Sequence, residues 1–78
     1  PVEEIERQER YEQLKLLIEK ELSPVQQQIL HLREYEELEM AEIAERVGMT
    51  PENVRVNLSR ARKRIREAYQ ERRTIYEG

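Results

Sequence analysis

The stretch AEIAERVGMTPENVRVNLSRARKRIREAY, residues 41–69, decides the fold. Together with Met40, its Ile43, Ala44 and Val47 recur at the spacing of one helix face. Gly48 follows, a residue that leaves a helix in the left-handed conformation without steric cost. Thr50-Pro51-Glu52 then has the form of a helix start. It offers a hydroxyl cap, a proline whose missing N–H costs nothing at the first position, and a carboxylate against the positive end of the helix dipole. Val54, Leu58, Ala61, Ile65 and Ala68 or Tyr69 continue at helical spacing, and four of the five residues from Arg60 to Arg64 are basic. A short helix, a tight turn and a longer basic helix make a helix-turn-helix. Small Ala44 lies where the two helices cross, and Val47, Met49 and Val54 fill the inner angle.

Upstream, Ser23-Pro24-Val25-Gln26 is a second start signal, with Ser23 as cap, Pro24 at the first position and Gln26 as the reciprocal arm of a capping box. It predicts a helix from 24 to about 35 with Val25, Ile29 and Leu32 turned inward. Before it, residues 3–22 favour helix, with Leu14, Leu17, Ile18 and Leu22 on one stripe. Residues 1–10 carry little besides Val2 and Ile5 that could be buried, and read as a frayed helix or linker remnant ahead of a domain over 11–76. Helices are thus expected at about 3–22, 24–35, 39–47 and 51–74. No strand pattern, repeat or low-complexity tract interrupts them. The expected fold is all-α: a small four-helix domain with a C-terminal helix-turn-helix.

Seventy-eight residues allow one domain with a thin core, and 40% charged against 37% hydrophobic residues fits helices that share one apolar seam. The absence of cysteine excludes a disulfide framework and a thiolate metal site, and agrees with a cytoplasmic location. No apolar run approaches the ~18 residues of a membrane span, and no signal-peptide core is present. The chain begins with Pro1 rather than Met, so it is expected to be part of a longer one.

The net charge of −3 hides an asymmetry. Residues 1–50 hold 6 Lys/Arg against 13 Glu, a net of −7, whereas residues 51–73 hold 8 Lys/Arg against 3 Glu, a net of +5. A local basic stripe acts on nearby phosphates whatever the remote charge is, so the fourth helix points to a polyanion. On a wheel of about 100° per residue its buried centre falls near Val54, Leu58, Ala61 and Ile65. Glu52, Val56, Ser59, Arg60 and Lys63 lie opposite, with Arg55, Arg62 and Arg66 along one flank and Arg64 on the other. In a DNA major groove, Arg55, Val56, Ser59 and Arg60 would face base edges. Arginine offers guanine a bidentate fork, and valine offers a thymine methyl an apolar surface. Arg62, Lys63 and Arg66 fall where phosphates pass.

Residues 22–69, LSPVQQQILHLREYEELEMAEIAERVGMTPENVRVNLSRARKRIREAY, resemble region 4 of bacterial sigma factors, most nearly the extracytoplasmic-function (ECF) group. The most specific parts are LRE at 32–34, EIAERVGM at 42–49 and VRVNLSRARKRIRE at 54–67. Repressor-type units usually bury the residue three after Val54, here polar Asn57; this chain has its apolar residue four after, at Leu58, as in the sigma pattern. Departures are Glu37 and Glu39, where the family commonly has glycine and a Ser/Thr cap, Val56, often serine, and Asn57, often arginine. No strand-melting region 2 is present.

The resemblance implies double-stranded promoter DNA as partner, with Arg55, Val56, Ser59 and Arg60 reading the −35 element. Thr50, Asn53, Arg62, Lys63 and Arg66 would be on its backbone. It also implies RNA polymerase core as partner, whose β flap would dock among the earlier helices. Leu14, Leu17, Ile18 and Leu30 are the candidates there, Leu30 first because it stands off the Val25–Ile29–Leu32 stripe. Many ECF factors are held inactive by an anti-sigma protein over these surfaces, which makes such a protein a candidate partner.

Other chemistry finds little footing. His31 is the sole histidine and the chain has no Cys or Asp, so no metal site or cofactor is expected. The glutamates lack apolar surroundings that would raise a pKa, and with Gly48 and Gly78 alone no phosphate-binding glycine loop forms. The tyrosines at 11, 35, 69 and 76 are too scattered for base stacking; Tyr35 and Tyr69 are expected to close the ends of the core. No enzyme and no small-molecule substrate is expected. Two other readings fit the same residues: a stand-alone helix-turn-helix regulator on operator DNA, and a protein-interaction module whose basic helix docks an acidic partner.

Overall fold

The structure, a computed structural model, describes the backbone of residues 2–77 and the side chains of residues 2–71. It is all-helical, with no strand among the described residues. Helix α1 spans Val2–Glu21, α2 spans Pro24–Leu30 and continues as a π-helical turn over His31–Tyr35, α3 spans Met40–Val47 and α4 spans Pro51–Glu77.

Each boundary has a local cause. Ser23 Oγ accepts the Gln26 N–H at 3.3 Å while Gln26 Oε1 accepts the Ser23 N–H, a complete capping box that starts α2. The amide of Gln27 reaches back to the carbonyl of Leu22 at 3.0 Å, so a side chain of α2 satisfies the exit of α1. Gly48 has φ 70°, and the N–H of Met49 beyond it bonds the carbonyl of Ala44 at 3.1 Å, the closing bond of a Schellman-type end to α3. Thr50 Oγ1 accepts the Asn53 N–H at 3.1 Å and fixes the start of α4.

The second helix departs from expectation in its last turn, which is π rather than α. Glu36 N–H bonds the carbonyl of His31, and Leu38 N–H that of Leu32. The wider turn brings Leu38 back against the core while Arg33 Nη1 donates to the Leu38 carbonyl at 2.9 Å, so both ends of that residue are held. Glu37 makes the reversal with φ 58°, the left-handed region that favours glycine.

The core is one cluster built by α2, α3 and the first half of α4: Ile29, Leu32, Ile43, Ala44, Val54 and Leu58. Full burial of a valine, leucine or isoleucine side chain contributes about 1.5–3 kcal/mol. α1 packs along α4 and against α2, where Leu17 and Leu22 are buried, and Ala61 and Ala68 are buried on α4. Arg64 Nε and Nη2 both donate to Glu21 Oε2 between α4 and α1, at 3.1 and 2.6 Å, and this hydrogen bonding holds the Arg64 guanidinium above its ordinary pKa. Ile65, expected in the buried centre of α4, is half-buried. Residues 2–10 continue α1 without a break, every one of them exposed.

Candidate nucleic-acid interface and an adjoining groove

The core residues of helix α4 fix which of its sides are left to solvent. With Val54, Leu58 and Ala61 at 0–1% exposure, the side opposite is open. Arg55, Ser59, Arg60 and Lys63 are exposed there, and Val56 is half-buried among them. Thr50 and Asn53 are exposed at the helix start. Thr50 Oγ1 is used as an acceptor by the cap, which leaves its O–H able to donate outward. Asn57 lies half-buried at the turn. Its amide donates to the Asn53 carbonyl at 2.9 Å and rests on Met49 Sδ at 3.9 Å, so it braces the turn instead of projecting.

The electrostatics of this side are uneven. Arg55 has Glu52 at 3.7 Å and Lys63 has Glu67 at 4.0 Å, loose exposed pairs that bind these cations weakly. Arg60 has no ion pair among the described residues. Its guanidinium is therefore the most available of the set.

Arg62 and Arg66 stand elsewhere. They form one wall of a groove of about 820 Å³ between α1, α2 with its π turn, and α4. Arg62 is held there by Glu34 of the π turn, with Nε donating to Oε1 at 2.8 Å. Both side chains of that pair are about half exposed, so it contributes no more than about 1 kcal/mol. The apolar floor is Leu14, Ile18, Leu30 and Ile65, with Tyr11 and Tyr69 beside it.

Three of the four sequence candidates for a docking surface, Leu14, Ile18 and Leu30, meet in this groove. Leu17 does not; it is 4% exposed and belongs to the core. The stripe that contains both residues could not say which of them α4 would cover. Tyr35 corrects the expectation that it closes the core: it is 74% exposed and its ring stacks on His31 with centroids 5.1 Å apart. The π turn carries both rings on the lip of the groove. His31 Nε2 lies 3.4 Å from Glu36 Oε2. Tyr69 is half-buried along the groove, and the side chain of Tyr76 lies outside the described residues. Sequence reading missed the groove's cations Arg10 and Lys15, which carry no signal until α1 is placed beside α4.

Among the described residues no helix is long and apolar enough to cross a membrane, and no three His, Cys, Asp or Glu side chains gather to hold a metal ion. Residues 12–65 match the family model described as "Sigma-70, region 4". No curated protein and no solved structure matches the chain.

Proposed function

The chain belongs to the region 4 family of sigma-70 factors, and from that premise we propose how its two surfaces divide the work. Region 4 is a DNA-binding domain, not an enzyme family; it binds the −35 promoter element and RNA polymerase in transcription initiation. The finer assignment is ours: an ECF-type factor whose α4 enters the major groove with Arg55, Val56, Ser59 and Arg60 toward base edges. Thr50, Asn53 and Lys63 hold the flanking phosphates. Arg62 and Arg66, on the groove side of the helix, take the lesser share of that backbone contact.

One observation carries the assignment. A cap-fixed basic helix buries Val54, Leu58 and Ala61 and leaves Arg55, Ser59, Arg60 and Lys63 in solvent along one side. A helix with that distribution can lie in a groove without unpacking its own domain.

The second surface is the groove floored by Leu14, Ile18 and Leu30, which we assign to the β flap of RNA polymerase. An apolar trough of this size left open on a small domain supports a partner that is a protein segment. The test is a titration of the domain with the isolated flap, followed by amide shifts in NMR spectra. Saturable shifts in α1 and α2, lost in Leu30→Asp while the α3 and α4 spectrum persists, are the expected result. No shifts at high flap concentration would remove the flap from the assignment, and with it the argument against a stand-alone regulator.

A further inference from the structure

The basic run of α4 is not all open to DNA. Arg62 and Arg64 are both tied to carboxylates of earlier elements, and the two ties differ. Arg64 lies on the flank away from Arg55, and its partner Glu21 keeps only 20% of its side chain exposed, so that pair joins α1 to α4. Arg62 follows Arg55 by seven residues, two turns on, which puts it within about 20° of Arg55 around the helix. Phosphates that run along the Arg55 flank therefore pass Arg62 as well. Its guanidinium is turned instead to Glu34 of the π turn.

That contact holds Arg62 only loosely. Nε, at 2.8 Å, and Nη2 donate to the same oxygen, Glu34 Oε1, so the guanidinium fork is not matched by the two oxygens of the carboxylate. Both side chains are about half exposed, where water and salt screen the attraction. Arg66, four residues on, adds a like charge beside Arg62. A phosphate offers the same guanidinium two oxygens in bidentate geometry. Among the described residues Glu34 is the one carboxylate paired with Arg62; Glu19 lines the same groove and makes no ion pair with it.

We propose that Glu34 is an autoinhibitory residue: its carboxylate competes with a DNA phosphate for Arg62 and holds the free domain one backbone contact short. The proposal rests on the reading of α4 as the DNA-binding helix and adds the residue that limits how strongly that helix binds. Release of Arg62 strengthens binding to every duplex alike, because a phosphate carries no sequence.

The test is binding of the whole domain to one duplex of mixed sequence, read by fluorescence anisotropy at several salt concentrations. Glu34→Gln removes the competing charge, and Glu34→Asp keeps the charge while shortening its reach. Both should bind roughly two- to fivefold more tightly, since an exposed ion pair withholds no more than that. The slope of log affinity against log salt should steepen by about 0.9, the counterions of one further phosphate. Glu37→Gln is an equal change of charge at a residue with no ion pair among the described residues, and it should gain less and leave the slope alone. With Arg62→Ala in place, Glu34→Gln should gain no more than Glu37→Gln does. A gain shared by Glu34→Gln and Glu37→Gln but absent from Glu34→Asp overturns the proposal, because net charge then explains it. Weaker binding by either Glu34 variant at an unchanged urea midpoint also overturns it, since Glu34 would then be aiding Arg62. The wild-type domain gives a reading that no folding defect can confuse: the Arg62 Nε–H signal in NMR spectra should move as duplex is added. A signal that stays in place at saturation overturns the competition. If Arg60→Ala and Lys63→Ala leave binding unaltered, the reading of α4 itself fails; losses there beside unchanged Glu34 variants sink the competition alone.

Discussion

Arg60 is the side chain on which sequence selectivity should turn. It is exposed on the open side of α4 and no carboxylate among the described residues competes for it. Arg60→Ala should cost about 1–3 kcal/mol at the preferred site and flatten the preference among sites, measured by competition binding. Lys63→Ala should weaken all duplexes alike, since a phosphate is the same at every sequence. An equal loss from both variants on every duplex would argue that α4 reads no bases. Glu37 invites a change of a different kind. It holds φ 58° with an ordinary side chain, which costs of order 1–2 kcal/mol, in part offset by the extra freedom glycine has when unfolded. Glu37→Gly should therefore raise stability by about 0.5–1 kcal/mol in urea unfolding. The left-handed residue at this reversal was not legible in the sequence, because glutamate carries no sign of it. Gly48 carried the sign openly, and there the expected φ is found. The fate of Leu17 was equally hidden: periodicity gives a stripe, while burial depends on where the neighbouring helix lies.

At the scale of the element, the ends of the helices were more legible than their middles. Ser23 and Thr50 announce α2 and α4 because a hydroxyl before proline has a single economical use, and both caps form. Thr50→Ala should destabilise the domain by about 1 kcal/mol and fray the first turn of α4, where Asn53 sits. α3 lacks this device. Its cap residue Glu39 makes no side-chain cap hydrogen bond. Glu39→Asp keeps the charge and shortens the side chain to capping length, so it should add about 0.5–1 kcal/mol; a value near zero would show that the backbone there does not accept a cap. The π turn escaped the sequence reading for a physical reason. Five residues of His31–Tyr35 are compatible with either hydrogen-bond spacing, and the choice is made by Leu38 returning to the core. Nor could a wheel drawn for α4 alone assign its flanks. The wheel places Arg62 and Arg66 beside Arg55, but only the neighbouring helices turn that flank into a groove wall.

Across the whole molecule the charge separation sets how strongly the domain can hold DNA. One helix offers a few cations to phosphates, while the chain as a whole is acidic. Binding to a −35 duplex should be weak, with log affinity falling against log salt at a slope of about −2 to −3, readable by anisotropy at several salt concentrations. A slope near zero would exclude phosphate contact as the main attraction. The remaining feature is the first half of α1. Residues 2–9 are all exposed, and among the described residues they belong to neither the core nor the groove, so what supports their helix there is its own hydrogen bonds. A helix of such length is marginal in water without packing. It should therefore open and close while the rest of the domain stays folded. Trypsin should cut at Arg7 well before it touches Arg55, Arg60, Arg62, Arg64 or Arg66, and what survives the digest should still carry the groove and the basic face of α4.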